Sequence, residues 1–267
     1  MLTHGGRQRV GFRRFGTRSV ALGLVLSLTA CASQVGVQST TPPQPAGRLY
    51  RPEGPGRFPA LVLLPTCAGL RPHVFDWAEL LKAEGYVALA VDTLSPRGAT
   101  DLCLKGKHTV HEVAGDAVEA LVHLRSLPFV DQDRIGVIGW SHGAMAALVA
   151  IRSGPRGRGF RLAIAFYPDC GYVAYDTTIP VLLLLGEVDD WTPPGQCVKV
   201  TKQLQREGRP VVWKVYPGAH HGFDVAGFGN RTVVYRGYTM RYDPAATADA
   251  KERVRAFLAQ HLRRSQQ

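Results

Sequence analysis

Ser141 is the residue whose type and setting point most directly to chemistry. It is the centre of the pentapeptide Gly-Trp-Ser-His-Gly at 139–143, which follows an apolar run and precedes a segment rich in helix formers. Strand, G-x-S-x-G turn and helix, in that order, are the setting of a nucleophile elbow, whose sharp turn holds the serine hydroxyl clear of the backbone. We therefore expect Ser141 to be a covalent nucleophile. The alternative is a surface serine in a Gly-rich turn.

A serine hydroxyl is a poor nucleophile at neutral pH, so it needs a base and an acid that orients the base. An acidic loop and a pair of histidines follow two later apolar runs, in the order Ser, acid, His that this kind of elbow requires. Asp189 is the predicted acid, with Asp190 and Glu187 as competitors. His221 is the predicted base, with His220 as the alternative.

Two backbone amides are expected to stabilise the developing oxyanion. One is the amide of His142, directly after the nucleophile. The other is assigned to the loop 65–69, where the amide of Cys67 is preferred to that of Thr66. Trp191 and Phe223 are candidate apolar walls of the substrate pocket, although packing in the core is an equal alternative for each.

The elements that must position these residues alternate between strands and helices. Such βαβ repetition predicts an α/β fold with a mostly parallel, doubly wound sheet and helices on both faces, and ligands bind such a sheet at the C-terminal ends of its strands. The sequence predicts strands at about 60–64, 86–91, 135–139, 162–166, 181–185 and 211–216, and helices at about 75–84, 110–127, 198–207 and 244–263. Every candidate catalytic residue follows one of these strands.

The first thirty residues have the pattern of an export signal. Five arginines without any acidic residue precede a short apolar run, Val20–Leu28, and Leu28-Thr29-Ala30-Cys31 resembles the lipobox of bacterial lipoproteins. We therefore predict a signal peptide at 1–30, a lipidated Cys31, a Pro-rich tether at 31–47 and one domain at 48–267. Lipid chains would hold the protein at a bacterial membrane, facing the periplasm or exterior, and Ala32 favours the outer membrane. The alternative is an ordinary cleaved secretory signal.

Export also bears on the other four cysteines. None of them forms a C-x-x-C pair, so the sequence predicts no metal site, and the proposed chemistry requires no cofactor. An even number of cysteines in an oxidising compartment favours two disulfides. We expect Cys170 to pair with Cys197, because both follow strands that should be neighbours, and Cys67 to pair with Cys103. The alternative is free buried thiols.

The charge of the chain bears on its possible partners. Removing the five arginines of the signal from the formal charge of +11 leaves +6. No basic run with interleaved aromatic residues stands out, and the predicted export would separate the protein from nucleic acid, so we expect no nucleic-acid partner. Attraction to acidic lipid headgroups would explain the modest positive charge as well as nucleic-acid binding would.

Over nearly all of residues 48–264, the chain resembles the dienelactone hydrolase family of α/β-hydrolases. The segments 85–92, 186–193 and 221–224 are similar to conserved blocks of that family. The resemblance implies an α/β-hydrolase fold, with Ser141 as nucleophile, Asp189 as acid and His221 as base. It also supports the oxyanion amides named above.

Two departures from the family pattern limit what the resemblance implies. Enzymes of the family that open dienelactone carry a cysteine nucleophile, where this chain has Ser141. They also carry a glutamate in the first βα loop, and Pro65-Thr66-Cys67 contains none. The expectation is therefore a serine hydrolase of small-molecule esters or lactones that works through an acyl-enzyme. The alternatives are an acyltransferase or peptidase with the same triad, or a non-catalytic ligand-binding lipoprotein.

Overall fold

A computed structural model describes residues 44–103, 107–152, 159–172 and 177–262 of the chain. The strands are β1 Gly47–Tyr50, β2 Phe58–Leu64, β3 Val87–Val91, β4 Val130–Trp140, β5 Ala163–Phe166, β6 Val181–Gly186, β7 Val211–Tyr216, β8 Thr232–Tyr235 and β9 Tyr238–Arg241. The helices are α1 Pro72–Ala83, α2 Lys107–Ser126, α3 His142–Ala150, α4 Gly195–Arg206 and α5 Pro244–Leu262.

Seven strands form one sheet in the order β1-β3-β2-β4-β5-β6-β7. All neighbouring pairs are parallel except β1 and β3, which are antiparallel. The predicted mostly parallel sheet is therefore confirmed. Because β4, β5, β6 and β7 are consecutive neighbours, the loops that follow them meet at one edge of the sheet, where a doubly wound sheet binds ligands.

Helices cover both faces of this sheet. The apolar side chains of α2, α3 and α4 pack on one face, and those of α1 and α5 pack on the other. In β2, side chains alternate between the two layers: Ala60, Val62 and Leu64 belong to the first, and Leu61 and Leu63 to the second. A strand that is buried on both faces has no polar positions, which explains why its sequence is a continuous apolar run.

Two features were not predicted from the sequence. The antiparallel edge strand β1 begins at Gly47, the last residue assigned to the tether. The hairpin of β8 and β9 lies between the strand predicted at 211–216 and the helix predicted at 244–263, where the sequence predicts no strand. Its two-residue turn, Arg236-Gly237, has positive φ at both positions, 56° and 86°. An arginine is an unusual first residue for such a turn, so the usual Asn-Gly signal is missing.

The predicted signal peptide, the lipidation site Cys31 and nearly all of the tether lie outside the described residues. Across the ranges that the structure describes, no helix combines the length and the hydropathy needed to span a membrane.

Candidate active site

Ser141 lies in a strained turn between β4 and α3. Its backbone angles are φ 52° and ψ −114°, which are unfavourable for a residue with a side chain. A Cβ on Gly139 would lie 2.2 Å from the carbonyl oxygen of Gly143, and one on Gly143 would lie 2.2 Å from the carbonyl oxygen of Leu64. Both glycines are therefore required by close backbone packing.

The side chains of Ser141, His221 and Asp189 form one hydrogen-bonded series. Nε2 of His221 lies 3.0 Å from Oγ of Ser141, and Nδ1 lies 2.8 Å from Oδ2 of Asp189. All three residues are buried, with exposed fractions of 3 to 4%. The three candidates chosen from the sequence are thus brought together from the C-terminal ends of β4, β6 and β7.

The competing residues make other contacts. The carboxylate of Asp190 accepts the backbone N–H of Thr239 in the hairpin, and the carboxylate of Glu187 accepts that of Gly218. Nδ1 of His220 is buried without a hydrogen-bond partner in the described part of the chain. The geometry therefore separates the preferred acid and base from the neighbours that the sequence left open.

The acid is held by its own loop. Oδ1 of Asp189 accepts the backbone N–H groups of Trp191 and Thr192, at 2.9 and 2.8 Å. The hydroxyl of Thr192 lies 2.9 Å from Oδ2 of Asp189, 3.2 Å from Nδ1 of His221 and 3.0 Å from the carbonyl oxygen of Tyr167. Thr192 fixes the acid relative to the base, a role that sequence reasoning did not assign.

The loop after β2 reaches the same place. Cys67 and Ser141 line common cavities. Among the described residues, no acceptor is recorded for the backbone N–H of Cys67 or His142. The disulfide Cys67–Cys103 and a 2.8 Å hydrogen bond from Leu102 N–H to the Cys67 carbonyl hold this loop against the segment 101–103. The second predicted disulfide, Cys170–Cys197, is also present.

The imidazole of His142 is buried beside the nucleophile. Its Nε2 lies 3.0 Å from Oγ1 of Thr109. Burial, with a smaller contribution from the positive charge of Arg97, lowers the pKa of His142 to about 4. The imidazole is therefore neutral near pH 7. Arg97 itself pairs with Asp116 at 2.8 Å.

Two cavities meet at Ser141. The first, of about 340 Å³, is called here the apolar cavity and is lined largely by Pro72, Val225, Phe228, Met240, Tyr235 and Trp191. The second, of about 310 Å³, is called here the mixed cavity and is lined by residues that include Leu102, Met145, His142, Asp169 and Thr192. Ser141, Cys67, Cys103 and Trp191 border both, so the nucleophile lies where a substrate could extend in two directions.

The two candidate pocket walls have different positions. Trp191 lines both cavities and stacks on Tyr238 of the hairpin, with ring centroids 4.8 Å apart. Phe223 is fully buried in the core and packs on Tyr167, Phe166 and Tyr216. The pocket assignment of Phe223 is therefore corrected. Gly222, with φ 69°, turns the chain between His221 and this buried ring.

The hairpin closes one side of the apolar cavity. Tyr235 and Met240 line the cavity. Asp101 accepts the hydroxyl of Tyr235 at 2.9 Å and the guanidinium of Arg236 at 2.7 Å. The same carboxyl group accepts the backbone N–H of Cys103. The hairpin is thus connected through Asp101 to the disulfide that holds the Cys67 loop.

A second buried carboxylate, Asp224, lies near the triad and was not identified as a functional residue from the sequence. Its Oδ2 accepts the indole N–H groups of Trp77 and Trp140, each at 2.8 Å, and its Oδ1 accepts the Tyr167 hydroxyl at 2.7 Å. The only sequence signal was its place in the block 221–224. In the described part of the chain, no group of three or more His, Cys, Asp or Glu residues could hold a metal ion.

These features define the class of protein. A mostly parallel sheet with helices on both faces, and with a strained serine between β4 and α3, is an α/β-hydrolase fold. The model of the dienelactone hydrolase family matches residues 46–262, and the chain belongs to that family.

Individual relatives agree with this assignment. A protein of Bradyrhizobium sp. described as a probable 2-oxo-3-(5-oxofuran-2-ylidene)propanoate lactonase is 26% identical over 237 residues, which cover 80% of this chain and 88% of that protein. The crystal structure of a putative dienelactone hydrolase from Klebsiella pneumoniae has a TM-score of 0.63 at 21% identity, covering 79% and 91% of the two chains. An esterase from Thermogutta terrifontis has a TM-score of 0.60 at 18% identity, covering 79% and 86%. The similarity to these two solved structures shows the fold alone. Membership of the dienelactone hydrolase family identifies the chain as a hydrolase that acts on ester or lactone bonds.

Proposed function

We propose that the protein is a serine hydrolase of small-molecule esters or lactones that forms an acyl-enzyme through a triad of Ser141, His221 and Asp189. The observation that carries the proposal is the continuous series of hydrogen-bonding atoms, with Oγ of Ser141 3.0 Å from His221 and the other ring nitrogen 2.8 Å from Asp189. The first separation is within the reach needed for proton transfer between a nucleophile and its base, and the second allows the acid to orient the base.

The proposed reaction has two halves. The hydroxyl of Ser141 attacks the ester carbonyl while Nε2 of His221 takes its proton, and the alkoxide of the ester leaves with that proton. Water then attacks the acyl-enzyme, with His221 again acting as base, and the carboxylic acid and the free serine result. Asp189 holds the imidazole in one tautomer and stabilises the imidazolium that forms in each half.

The tetrahedral intermediates carry a negative oxygen that needs donors. The backbone N–H of His142 begins helix α3, so it has no carbonyl acceptor within its own helix. The N–H of Cys67 belongs to the loop that the Cys67–Cys103 disulfide holds beside Ser141. We assign these two groups to the oxyanion hole, where one donor contributes about 3 kcal/mol to transition-state stabilisation.

The cavities indicate which esters should fit. The apolar cavity, of about 340 Å³, would accommodate an aliphatic or aromatic group on one side of the scissile carbonyl. The mixed cavity, with Asp169 and Thr192 on its wall, would receive the other side and tolerate polar atoms. The lactonase activity described for the Bradyrhizobium relative extends the candidates to cyclic esters.

Neighbouring residues supply matched controls for a direct test. Asp189→Asn and His221→Gln should each lower kcat for p-nitrophenyl esters by at least about a thousandfold. Asp190→Asn and His220→Gln change the adjacent residues in the same way and should retain activity within about threefold. Equal losses in both members of a pair would contradict the triad.

The fate of the acyl group tests the hydrolytic half-reaction. Product analysis in the presence of added alcohols and amines should give the carboxylic acid as the main product. Predominant transfer to an alcohol or amine would instead identify an acyltransferase with the same acyl-enzyme.

We also propose that the protein is exported and anchored to a bacterial membrane by lipid on Cys31. The support is the basic segment, the short apolar run and the Leu-Thr-Ala-Cys sequence at 28–31. Two acyl chains give stable attachment, whereas a single chain is marginal. Expression in a bacterial host should place the wild-type protein in the membrane fraction, and Cys31→Ser should release it or prevent its maturation. The same distribution for both would contradict the anchor.

A further inference from the structure

We propose that Asp224 is a positioning residue of the active site, which holds both the strand that carries the nucleophile and the ring that packs on the base. The inference rests on the proposed triad and extends it to a second buried carboxylate, whose hydrogen bonds within the described residues go to neither Ser141 nor His221 and which lines neither cavity.

The contacts of Asp224 are unusual for a carboxylate. It is 4% exposed, and its recorded partners in the described residues are three uncharged donors: the indoles of Trp77 and Trp140 and the hydroxyl of Tyr167. Burial of a carboxylate is costly unless hydrogen bonds compensate for the lost water. The donors are therefore fixed in direction, since each of them must point at the charge.

One of these donors leads to the nucleophile. Trp140 is the last residue of β4 and is joined by a peptide bond to Ser141, whose φ of 52° must be maintained by its surroundings. The indole of Trp140 is fully buried and stacks on Phe166 with ring centroids 5.4 Å apart. The hydrogen bond to Asp224 fixes the rotation of this indole and, with it, the residue that precedes the strained turn.

A second donor leads to the base. The ring of Tyr167 packs on the imidazole of His221, with centroids 4.6 Å apart, and its carbonyl oxygen accepts the hydroxyl of Thr192 beside Asp189. Burial and the neighbouring negative charge of Asp224 raise the pKa of Tyr167, so the phenol stays protonated as a donor. Because Asp224 lies three residues after His221, the same short segment supplies the base and the group that orients the ring against it.

The third donor provides a matched control. Trp77 lies on α1, and among the described contacts it has none with the triad. Trp77→Phe removes one of the three hydrogen bonds to Asp224 but keeps an aromatic ring against Trp140 and Phe166, on which Trp77 packs, and it leaves the hydrogen bonds of Trp140 and Tyr167 to Asp224 in place. If Asp224 acts through Trp140 and Tyr167, the loss of its Trp77 bond should lower stability and leave kcat nearly unchanged.

The test compares four single variants and one double variant by steady-state kinetics with a p-nitrophenyl ester, at a temperature at which each is folded by circular dichroism. Asp224→Asn, Tyr167→Phe and Trp140→Phe should lower kcat about ten- to a hundredfold with KM within about threefold, as expected for displaced catalytic groups. Trp77→Phe should keep kcat within about threefold. The double variant Asp224→Asn/Tyr167→Phe should lose less than the product of the single losses, because both changes break one connection.

Several outcomes would overturn the inference. One is a wild-type kcat in Asp224→Asn, and another is a kcat loss in Trp77→Phe equal to that in Tyr167→Phe. If Asp224→Asn does not fold, Tyr167→Phe and Trp140→Phe decide the question alone, and wild-type kcat in both would contradict it. Failure of the proposed function is a different result, because the wild-type protein itself would then not hydrolyse the ester.

Discussion

The buried imidazole of His142 should make the stability of the protein depend on pH in a defined direction. In the folded protein its pKa is lowered to about 4, whereas in the unfolded chain it is close to the ordinary value of 6.5. Between these values the unfolded chain binds a proton that the folded protein does not, so the free energy of unfolding falls as the pH falls from about 6.5 toward about 4. Above that window the contribution is fully present. From about pH 7.5 to about pH 5 the loss due to this residue is about 2 kcal/mol.

Urea unfolding of the wild type and of His142→Gln at both pH values isolates this residue. The pKa of His73 is also lowered by burial and acts with the same sign, but that contribution is common to both proteins and cancels in their difference. The stability advantage of the wild type over the variant should shrink by about 2 kcal/mol at the lower pH. His111→Gln, at an exposed position of α2, controls for the loss of an imidazole. A wild-type advantage that is the same at both pH values would refute the reasoning.

Other predictions concern the supports of the pocket. Replacing both cysteines of Cys67–Cys103, or both of Cys170–Cys197, opens loops of similar length, with sequence separations of 36 and 27. Each change should therefore lower the free energy of unfolding by about 3.5 to 4 kcal/mol in urea. Only loss of the Cys67–Cys103 pair should also lower kcat, by about tenfold, because that pair holds a proposed oxyanion donor. Equal kcat values for the two variants would count against the assignment of the Cys67 amide to the oxyanion hole. Asp101→Ala should release the hairpin and raise KM for esters with apolar groups about three- to tenfold at nearly constant kcat, measured by initial rates. An unchanged KM would show that the hairpin does not depend on this carboxylate.

The position of the candidate site could be predicted from the sequence where apolar runs indicate the strands. The apolar runs at 135–139, 181–185 and 211–216 indicate strands, and right-handed βαβ crossovers bring their C-terminal ends to one edge of the sheet. The loops that carry Ser141, Asp189 and His221 could therefore be grouped from their positions, but position left Asp190, Glu187 and His220 as alternatives. The Cys170–Cys197 pair followed from the same logic of neighbouring strands, and Cys67–Cys103 was the pair that remained.

The parts that could not be predicted depend on contacts between residues that are distant in sequence. Asp224 receives hydrogen bonds from Trp77 and Trp140, which precede it by 147 and 84 positions. The hydrophobic periodicity of a sequence gives no indication of such a long-range contact. Phe223 was a candidate pocket wall with core packing as the alternative, and the turn at Gly222 directs its ring into the core.

The hairpin was missed for a local reason. Its turn has Arg236 where a type I′ turn favours asparagine, aspartate or glycine, and the strands have only four residues each. The strand pairing is supported by Asp101 and by the stacking of Tyr238 on Trp191, so tertiary contacts replace the missing turn signal.

The central claim is that Ser141 is a nucleophile activated by its neighbours, and covalent labelling tests it most directly. A fluorophosphonate reacts with a serine hydroxyl only when a base activates it. The wild-type protein should take up one equivalent, peptide mass spectrometry should place it on Ser141, and Ser141→Ala should take up none while its circular dichroism spectrum is unchanged. A wild-type protein that stays unlabelled, or a label that persists in Ser141→Ala, would contradict the account.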